Sequence, residues 1–263
     1  MNYKKEEVLL TAKDVNLFYG QKQILRNINF EVRNITRPDV KQGQVISLIG
    51  RSGIGKTQLF RLLSGLSKPT SGTITINKDE TVEAGDMGVV FQNYYLFEWR
   101  TIYTSLMLAA KKNPVLKGKE DQAIQKYAEE FNLDDQLKKY PNELSGGQRQ
   151  RVSIIQQMLI GTDFLLLDEP FSGLDILVLD KVVELLISVS LSDEHKTLII
   201  VSHDIGTSVA ISDTVFVLGC QEGKPGATIK KEIDLCERDL AWRKNIRTEK
   251  AFIDTLQEIK AEL

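Results

Sequence analysis

Residues 50–57 read Gly50-Arg51-Ser52-Gly53-Ile54-Gly55-Lys56-Thr57. The stretch fits the pattern G-x-x-x-x-G-K-[ST]; it follows a β-branched apolar run at 44–49 and opens a helical pattern at 56–64. Glycines let a backbone curl until successive N–H groups face one concavity, and the start of a helix adds its positive dipole end. The sequence therefore predicts a phosphate-binding loop between a strand and a helix.

Two side chains of this loop carry further chemistry. Lys56 supplies a positive charge for the outer phosphates of a nucleotide, and the hydroxyl of Thr57 is a ligand suited to Mg²⁺. An ordinary glycine-rich turn is the alternative interpretation. The strand and the helix on either side favour the phosphate-binding loop over that turn.

In a second motif, two carboxylates follow a predicted buried strand. Residues 163–170 read Asp163-Phe164-Leu165-Leu166-Leu167-Asp168-Glu169-Pro170. Ligands of open α/β sheets bind at the carboxyl ends of the parallel strands, so Asp168 is expected beside the phosphate loop, where it can hold Mg²⁺ through water. Glu169 can orient or deprotonate an attacking water. The alternative is a pair of solvated carboxylates at a strand end.

A third motif begins a helix. Residues 144–148 read Leu144-Ser145-Gly146-Gly147-Gln148. Ser145 and Gln148 have the spacing of a capping box, and the glycines leave backbone N–H groups open at a second anion-binding helix end. A well-capped helix without a ligand is the alternative. If this second helix end also binds phosphate, one chain has two phosphate-binding helix ends. That number indicates that two chains share a nucleotide.

The segments around the motifs predict the remaining architecture. Residues 8–18 and 24–33 alternate apolar and polar side chains, which predicts an antiparallel hairpin. The polar stretch 34–42 predicts a loop. Residues 94–160 carry apolar side chains at helical spacing and predict a helical insertion.

Strand patterns return after the insertion. The runs 164–167 and 198–201 flank a helical pattern at 174–190, which predicts a βαβ unit. The tail from about 246 carries one apolar helical stripe, expected to pack on the body of the chain. Further strands are predicted at 73–76, 88–91, 215–218 and 227–233.

Composition excludes several classes of function. The chain has 263 residues, 42% of them hydrophobic, enough for one substantial core. Its 34 basic and 36 acidic residues leave no overall basic field to hold nucleic acid. Two cysteines and two histidines exclude a disulfide scaffold and a histidine-rich metal centre. No signal peptide or membrane-spanning run is evident, which predicts a soluble protein of a reducing compartment.

The three motifs resemble the Walker A loop, the Walker B strand and the LSGGQ signature of the ATP-binding subunits of ABC transporters. The resemblance runs from about residue 8 to 235. It implies the ABC ATPase fold, an α/β P-loop NTPase core with a mixed, mainly parallel sheet, an antiparallel β subdomain and an inserted α-helical subdomain at about 94–160. The implied ATPase domain is 8–235, followed by a helical tail at 236–263.

Shorter motifs of that family are also present. Gln92, after Val90-Phe91, resembles the Q-loop; Ser172-Gly173-Leu174-Asp175 resembles the D-loop and Ser202-His203-Asp204 the H-loop. The resemblance implies that Gln92 joins Thr57 and Asp168 around Mg²⁺ and senses a membrane partner, and that Asp175 lies at a dimer interface. His203 would contact the γ-phosphate of ATP beside Glu169; a purely structural histidine is the alternative. The signature residues that would act on the nucleotide of the second copy are Ser145, Gly146, Gly147 and Gln148.

The resemblance further implies an ATP-binding set. Tyr19 stands where the family has an aromatic ring that stacks on adenine; a hairpin aromatic that packs on its own sheet is the alternative. Gln58 replaces the small hydroxyl residue usual after the Lys-Ser/Thr pair, which puts a side-chain contact to the α-phosphate in doubt. The implied set is Tyr19, Gly50, Arg51, Ser52, Gly53, Ile54, Gly55, Lys56, Thr57 and Gln58.

One stretch indicates a branch of the family. Residues 96–101, Leu96-Phe97-Glu98-Trp99-Arg100-Thr101, resemble a segment of the nitrate, sulfonate and taurine importer ATPases that faces the membrane subunit. Alternatively, Trp99 only anchors the helical insertion. The favoured function is the ATPase subunit of an importer of a small anionic solute, with permease subunits, a second ATPase subunit and, indirectly, a solute-binding protein as partners, on the cytoplasmic face of the membrane.

Two rival functions stay open. An exporter would use the same ATP chemistry. A soluble ABC ATPase of translation or DNA repair usually carries two nucleotide domains or a long coiled-coil insertion, whereas this chain has one phosphate loop, one signature and a modest helical insertion.

Overall fold

The strands of this protein assemble into one sheet that helices cover. The computed structural model describes residues 3–37, 43–77, 80–173, 176–191, 195–243 and 246–263. Within these ranges the strands are β1 (Lys4–Tyr19), β2 (Lys22–Thr36), β3 (Gln44–Gly50), β4 (Ser71–Ile76), β5 (Glu80–Thr81), β6 (Gly88–Val90), β7 (Phe164–Asp168), β8 (Thr197–Ser202), β9 (Thr214–Cys220) and β10 (Ala227–Asp234). The helices are α1 (Lys56–Leu63), α2 (Ile102–Ala110), α3 (Glu120–Glu130), α4 (Gly146–Ile160), α5 (Ile176–Leu191), α6 (Ile205–Ile211) and α7 (Lys250–Glu262).

The sheet is mixed and has a parallel core. Its order is β5-β4-β1-β2-β10-β9-β3-β8-β7-β6. From β9 to β6 all neighbours are parallel, whereas β1 pairs antiparallel with β2 and β4, and β9 with β10. The predicted fold class is therefore confirmed, with the antiparallel hairpin and the βαβ unit in place.

The parallel core brings three chain segments to one edge of the sheet. Strands β3, β7 and β8 are buried along their whole length, as apolar strands covered on both faces must be. In the register of the sheet Ile49 lies opposite Ser202, and Asp168 opposite Val201. The loop after β3, the carboxylates ending β7 and the residues after β8 consequently meet at the same carboxyl edge.

The predicted helical insertion lies between β6 and β7 and contains α2, α3 and α4. Leu106 of α2, Ile124 of α3 and Ile154 of α4 are all fully buried in one apolar cluster. Phe131, just after α3, belongs to the same cluster. Apolar residues at helical spacing thus do face a common core here, as the pattern predicts.

The loop prediction for 34–42 is wrong at its start, and residues 38–42 lie outside the described ranges. Strand β2 continues to Thr36, where it pairs with Lys4 of β1. Ile35 is buried, whereas its neighbour Asn34 is more accessible. The polar residues occupy the open side of an antiparallel strand, a position in which polarity does not indicate a loop.

Arg37 follows β2 and anchors this segment in the core. Its guanidinium forms a buried ion pair with Asp213. The same carboxylate accepts hydrogen bonds from the backbone N–H of Val45 at 2.8 Å and from the indole N–H of Trp242 at 2.7 Å. A buried charge is tolerated when it is paired and hydrogen-bonded in this way. The cluster ties the segment after β2 and the C-terminal segment to β3.

The tail packs on the body of the chain, as predicted. Phe252 and Ile259 of α7 are buried in a cluster with Val209 and Val215. Glu258 pairs with Arg238 at 2.6 Å, which adds a polar contact at the rim. Within the described ranges, every helix is too short or too polar to cross a membrane.

Candidate active site

The turn between β3 and α1 has the shape of an anion cradle. Gly53 and Gly55 have φ angles of 77° and 113°, in the left-handed region that favours glycine. A Cβ on Gly55 would lie 3.1 Å from Leu25 and 3.2 Å from Ile24, so β2 packs directly on the loop. Gly55 is also the N-cap of α1 and provides no side-chain cap. The first N–H groups of α1 therefore keep their capacity to bind an anion.

The ammonium group of Lys56 folds back over this loop. It donates to the carbonyl oxygens of Gly50 at 2.9 Å and of Arg51 at 3.3 Å. It also lies 3.2 Å from Oε1 of Glu169, and only 7% of the lysine side chain is exposed. A poorly solvated positive charge consequently bridges the loop and the end of β7.

Asp168 is a buried carboxylate with an unsatisfied oxygen. Its Oδ1 is buried and has no hydrogen-bond partner. Burial, together with the smaller effect of the charge of Glu169, raises the pKa of Asp168 to about 6, and the charge of Lys56 opposes both. Because a buried carboxylate is costly unless it is paired or bound to a cation, the environment of Asp168 fits a divalent cation.

Removing this charge has a predictable effect on stability. Asp168→Asn is expected to raise the melting temperature of the nucleotide-free protein at pH 8 by about 2–4 °C, because the folded state no longer buries a carboxylate that resists ionisation. The pKa of Asp168 is higher in the folded than in the unfolded chain, so ionisation destabilises the fold as pH rises between the two values. The gain should therefore shrink at pH 5. Calorimetric melting at both pH values checks this; a gain that is larger at pH 5 would contradict it.

Glu169 lies at the centre of the cluster. Its backbone has φ 51°, a left-handed conformation that costs a non-glycine residue on the order of 1 kcal/mol. Oε2 lies 2.8 Å from Nδ1 of His203 and accepts from the hydroxyl of Ser202 at 3.2 Å. With Lys56 at its other oxygen, the carboxylate is held from two sides and is 12% exposed. Strain maintained by such contacts is common where a side chain must be aimed at a reacting group.

The contact of Ser202 with Glu169 was not predicted from the sequence. The sequence motif contains this serine, but no role was assigned to it. Its hydroxyl donates to Glu169 and accepts from the backbone N–H of Asp204 at 3.0 Å. The position of Ser202 at the end of β8, beside β7, is the signal that could have identified it, because adjacent parallel strands present their last residues to each other.

Gln92 lies at the rim of the same edge. Its amide donates to the hydroxyl of Ser172 at 3.3 Å, which joins the segment after β6 to the segment after β7. Both side chains remain accessible. Asp175, predicted at a dimer interface, lies outside the described residues.

The signature motif caps α4, as its spacing predicts. The hydroxyl of Ser145 accepts from the backbone N–H of Gln148 at 3.3 Å, and Oε1 of Gln148 accepts from the backbone N–H of Ser145 at 2.9 Å. A Cβ on Gly146 would have no heavy atom within 4 Å. This helix end borders a cavity of about 860 Å³ between α4 and α5, whose described lining includes Gly147 and Gly173 and no residue of the loop 50–57.

Tyr19 ends β1 near the start of α1. Its side chain is 54% exposed, and its hydroxyl donates to Oε1 of Gln58 at 2.6 Å. The structure therefore brings together Lys56, Asp168, Glu169 and His203, and connects Tyr19 to the same loop through Gln58. Ser145, Gly146 and Gly147 of the signature line a separate cavity of the chain.

Known proteins resemble this chain in sequence. The family model described as ABC transporter matches residues 34–172. An ABC transporter ATP-binding protein of Bacillus subtilis, YtlC, is 38% identical over 186 residues, 70% of this chain and 71% of that protein. The nitrate import ATP-binding protein NrtD of Synechococcus elongatus is 35% identical over 199 residues, 74% of this chain and 71% of that protein.

The fold also matches solved structures. A dimeric ATP-binding cassette, MJ0796, in a post-hydrolysis state bound to ADP and Pi superimposes with a TM-score of 0.68 at 24% identity, covering 86% of this chain and 99% of the other. The family match over 34–172 and the relatives at 38% and 35% identity lead to one conclusion. The chain belongs to the ABC transporter family, as one of its ATP-binding, ATP-hydrolysing subunits.

Proposed function

We propose that this chain is the motor of a membrane importer that takes up a small anionic solute and that it hydrolyses ATP at the carboxyl edge of its sheet. The observation that carries the catalytic part is the position of Glu169, in contact with both Lys56 and His203 beside the phosphate loop. Import of an anion is supported by the relatedness to a nitrate import protein.

ATP binding is assigned to the loop and the hairpin that packs on it. The backbone N–H groups of residues 50–58 surround the phosphates at the uncapped start of α1. Lys56 meets the outer phosphates, where it would exchange its contacts with carbonyl oxygens for charge-assisted ones. The half-exposed ring of Tyr19 stacks on adenine.

The site fits Mg²⁺ with Asp168, Thr57 and Gln92 as its protein ligands or water-bridged contacts. The buried, unpartnered oxygen of Asp168 supports this fit. Among the described residues no group of three or more His, Cys, Asp or Glu side chains could hold a metal, so hydroxyl, amide and phosphate oxygens would complete the coordination, as Mg²⁺ prefers. When bound, the ion offsets the negative charge of the phosphates.

Hydrolysis is assigned to Glu169 and His203. The carboxylate accepts a proton from the attacking water, and the contacts of its Oε2 with His203 and Ser202 keep it aimed at that water. His203, whose side chain is 49% exposed, can reach the γ-phosphate from the open side of the site. Lys56 supplies the positive charge for the transition state.

A second copy of the chain completes the site. Ser145, Gly146 and Gly147 line a cavity apart from the chain's own phosphate loop, and Gln148 caps the same helix end. The first N–H groups of α4, at Gly146 and Gly147, are therefore available to the nucleotide of another chain. Asp175 is assigned to the contact between the two copies. A homodimer would contain two such shared sites.

The membrane partner is a pair of permease subunits that contact residues 94–101. Trp99 is 74% exposed and Tyr95 69% exposed, and the rings of Phe97 and Trp99 lie 5.4 Å apart. The high exposure of Trp99 argues against the alternative that this ring only anchors the helical insertion. An exposed aromatic cluster of this kind supports a protein interface. With the permease bound there, the ATPase domain 8–235 and its tail 236–263 would lie on the cytoplasmic face of the membrane. A solute-binding protein would act indirectly, and no nucleic acid is involved.

Uptake by cells tests the transport assignment. Cells without this chain are expected to lose uptake of one labelled anion among nitrate, bicarbonate and an alkanesulfonate. The wild-type chain should restore that uptake, and Glu169→Gln should not. Accumulation of a solute inside the deleted cells, rather than its loss, would indicate an exporter and contradict the proposal.

A further inference from the structure

The side chain of Gln58 does not make the hydrogen bond that a glutamine at this position of a helix usually makes. With Gly55 as the N-cap of α1, Gln58 occupies the third position, from which a glutamine commonly reaches back to the N-cap backbone. Gln148 does this at the start of α4, where it accepts from the backbone N–H of Ser145 at 2.9 Å. Gln58 instead accepts from the hydroxyl of Tyr19 at 2.6 Å.

This hydrogen bond constrains a ring that has few other restraints. Tyr19 is the last residue of β1, directly before the turn at Gly20, and its side chain is 54% exposed. In the part of the chain that the structure describes, no other aromatic ring packs against it. The neighbouring strand contacts the loop through Ile24 and Leu25 at Gly55. These contacts hold the hairpin backbone against the loop but do not involve the tyrosine ring.

We propose that Gln58 is a positioning residue for the base of the bound nucleotide. It holds Tyr19 at a set distance from the phosphate loop, so that the ring stands ready when the phosphates bind at α1. The inference rests on the proposed assignment of ATP to this site. A ring ordered in advance loses less conformational freedom on binding, which strengthens the affinity without a new contact to the ligand.

Two variants remove the hydrogen bond from opposite ends. Gln58→Met keeps the length of the side chain but removes the acceptor, and Tyr19→Phe keeps the ring but removes the donor. Gln257→Met, on the exposed side of α7, is the matched control. The dissociation constants of ATP and of inorganic tripolyphosphate, which has no base to stack, are measured by calorimetry for each protein and for the double variant.

Each single variant is expected to weaken ATP binding about three- to tenfold, the usual range for one hydrogen bond. The double variant should be no weaker than the weaker single one, because both changes break the same contact. Binding of tripolyphosphate should stay unchanged throughout. A purely structural role of Gln58 would instead weaken both ligands together.

Three results would overturn the positioning role: unchanged ATP affinity in Gln58→Met, an equal loss for ATP and tripolyphosphate, or additive losses in the double variant. Lys56→Ala, measured alongside, separates this failure from failure of the proposed function. If Lys56→Ala weakens the binding of both ligands while Gln58→Met weakens neither, only the positioning role is contradicted. If Lys56→Ala keeps its ATP affinity, the nucleotide site itself has been misplaced.

Discussion

Glu169→Gln is expected to reduce steady-state ATP hydrolysis about 100-fold or more while ATP binding stays intact. The amide keeps the size and polarity of the carboxylate but cannot accept the proton of the attacking water. Its oxygen can still accept from Ser202, and the contact with His203 at 2.8 Å is retained by an amide of the same shape. Phosphate release and calorimetric ATP binding measure the two properties separately.

The control for this change is Glu222→Gln. Glu222 lies exposed in the turn between β9 and β10. The substitution Glu222→Gln should therefore leave both ATP hydrolysis and ATP binding at wild-type levels. If Glu169→Gln hydrolysed ATP within about twofold of the wild type, far from the loss expected for a catalytic base, Glu169 would not be the base.

Lys56→Ala is expected to remove most of the affinity for ATP. The ammonium group is poorly solvated beside the loop, and a charge-assisted contact to phosphate is worth more than a neutral hydrogen bond. A loss of about 10- to 100-fold follows from the usual energy of hydrogen bonds to charged groups. Calorimetric titration with ATP in the presence of Mg²⁺ measures it.

This substitution also takes away the cation beside Glu169, so stability must be checked separately. Lys117→Ala, at an exposed position before α3, is the matched control and should bind ATP normally. A Lys56→Ala protein that melts like the wild type and has lost its affinity supports the assignment. Unchanged affinity in a folded Lys56→Ala protein would contradict it.

The positions of the main motifs were predictable because each depends on local chemistry. Strands β3 and β7 are continuous apolar runs, and such runs must be buried on both faces. The capping box of Ser145 and Gln148 is formed within four residues, so spacing alone predicts its hydrogen bonds. The edge at which the loop and Asp168 meet then follows from the parallel order of the strands.

The contacts between distant side chains were not predictable. Lys56 and Glu169 are 113 residues apart in sequence, and their ion pair depends on how two strand ends are offset in the sheet. The hydrogen bond from Tyr19 to Gln58 likewise requires the hairpin to lie on α1.

Some elements also went unpredicted, because their local patterns are weak. Strand β5 has only two residues, both exposed. Helix α6 has seven residues and starts at the cap Asp204, which belongs to the stretch that resembles the H-loop and carries no helical pattern of its own. Patterns this short do not separate a helix or strand from a turn.

The mass of Glu169→Gln in solution, measured by light scattering with and without ATP, shows whether two copies share the nucleotide. A stable dimer forms only if ATP binds at the loop, hydrolysis is arrested, and the partner's signature residues contact the nucleotide. We expect one chain without nucleotide, two chains with ATP, and one chain with ATP when Ser145→Arg is added to block the helix end. A mass that stays at one chain at saturating ATP, or a dimer that survives Ser145→Arg, would contradict the claim that two copies share the nucleotide.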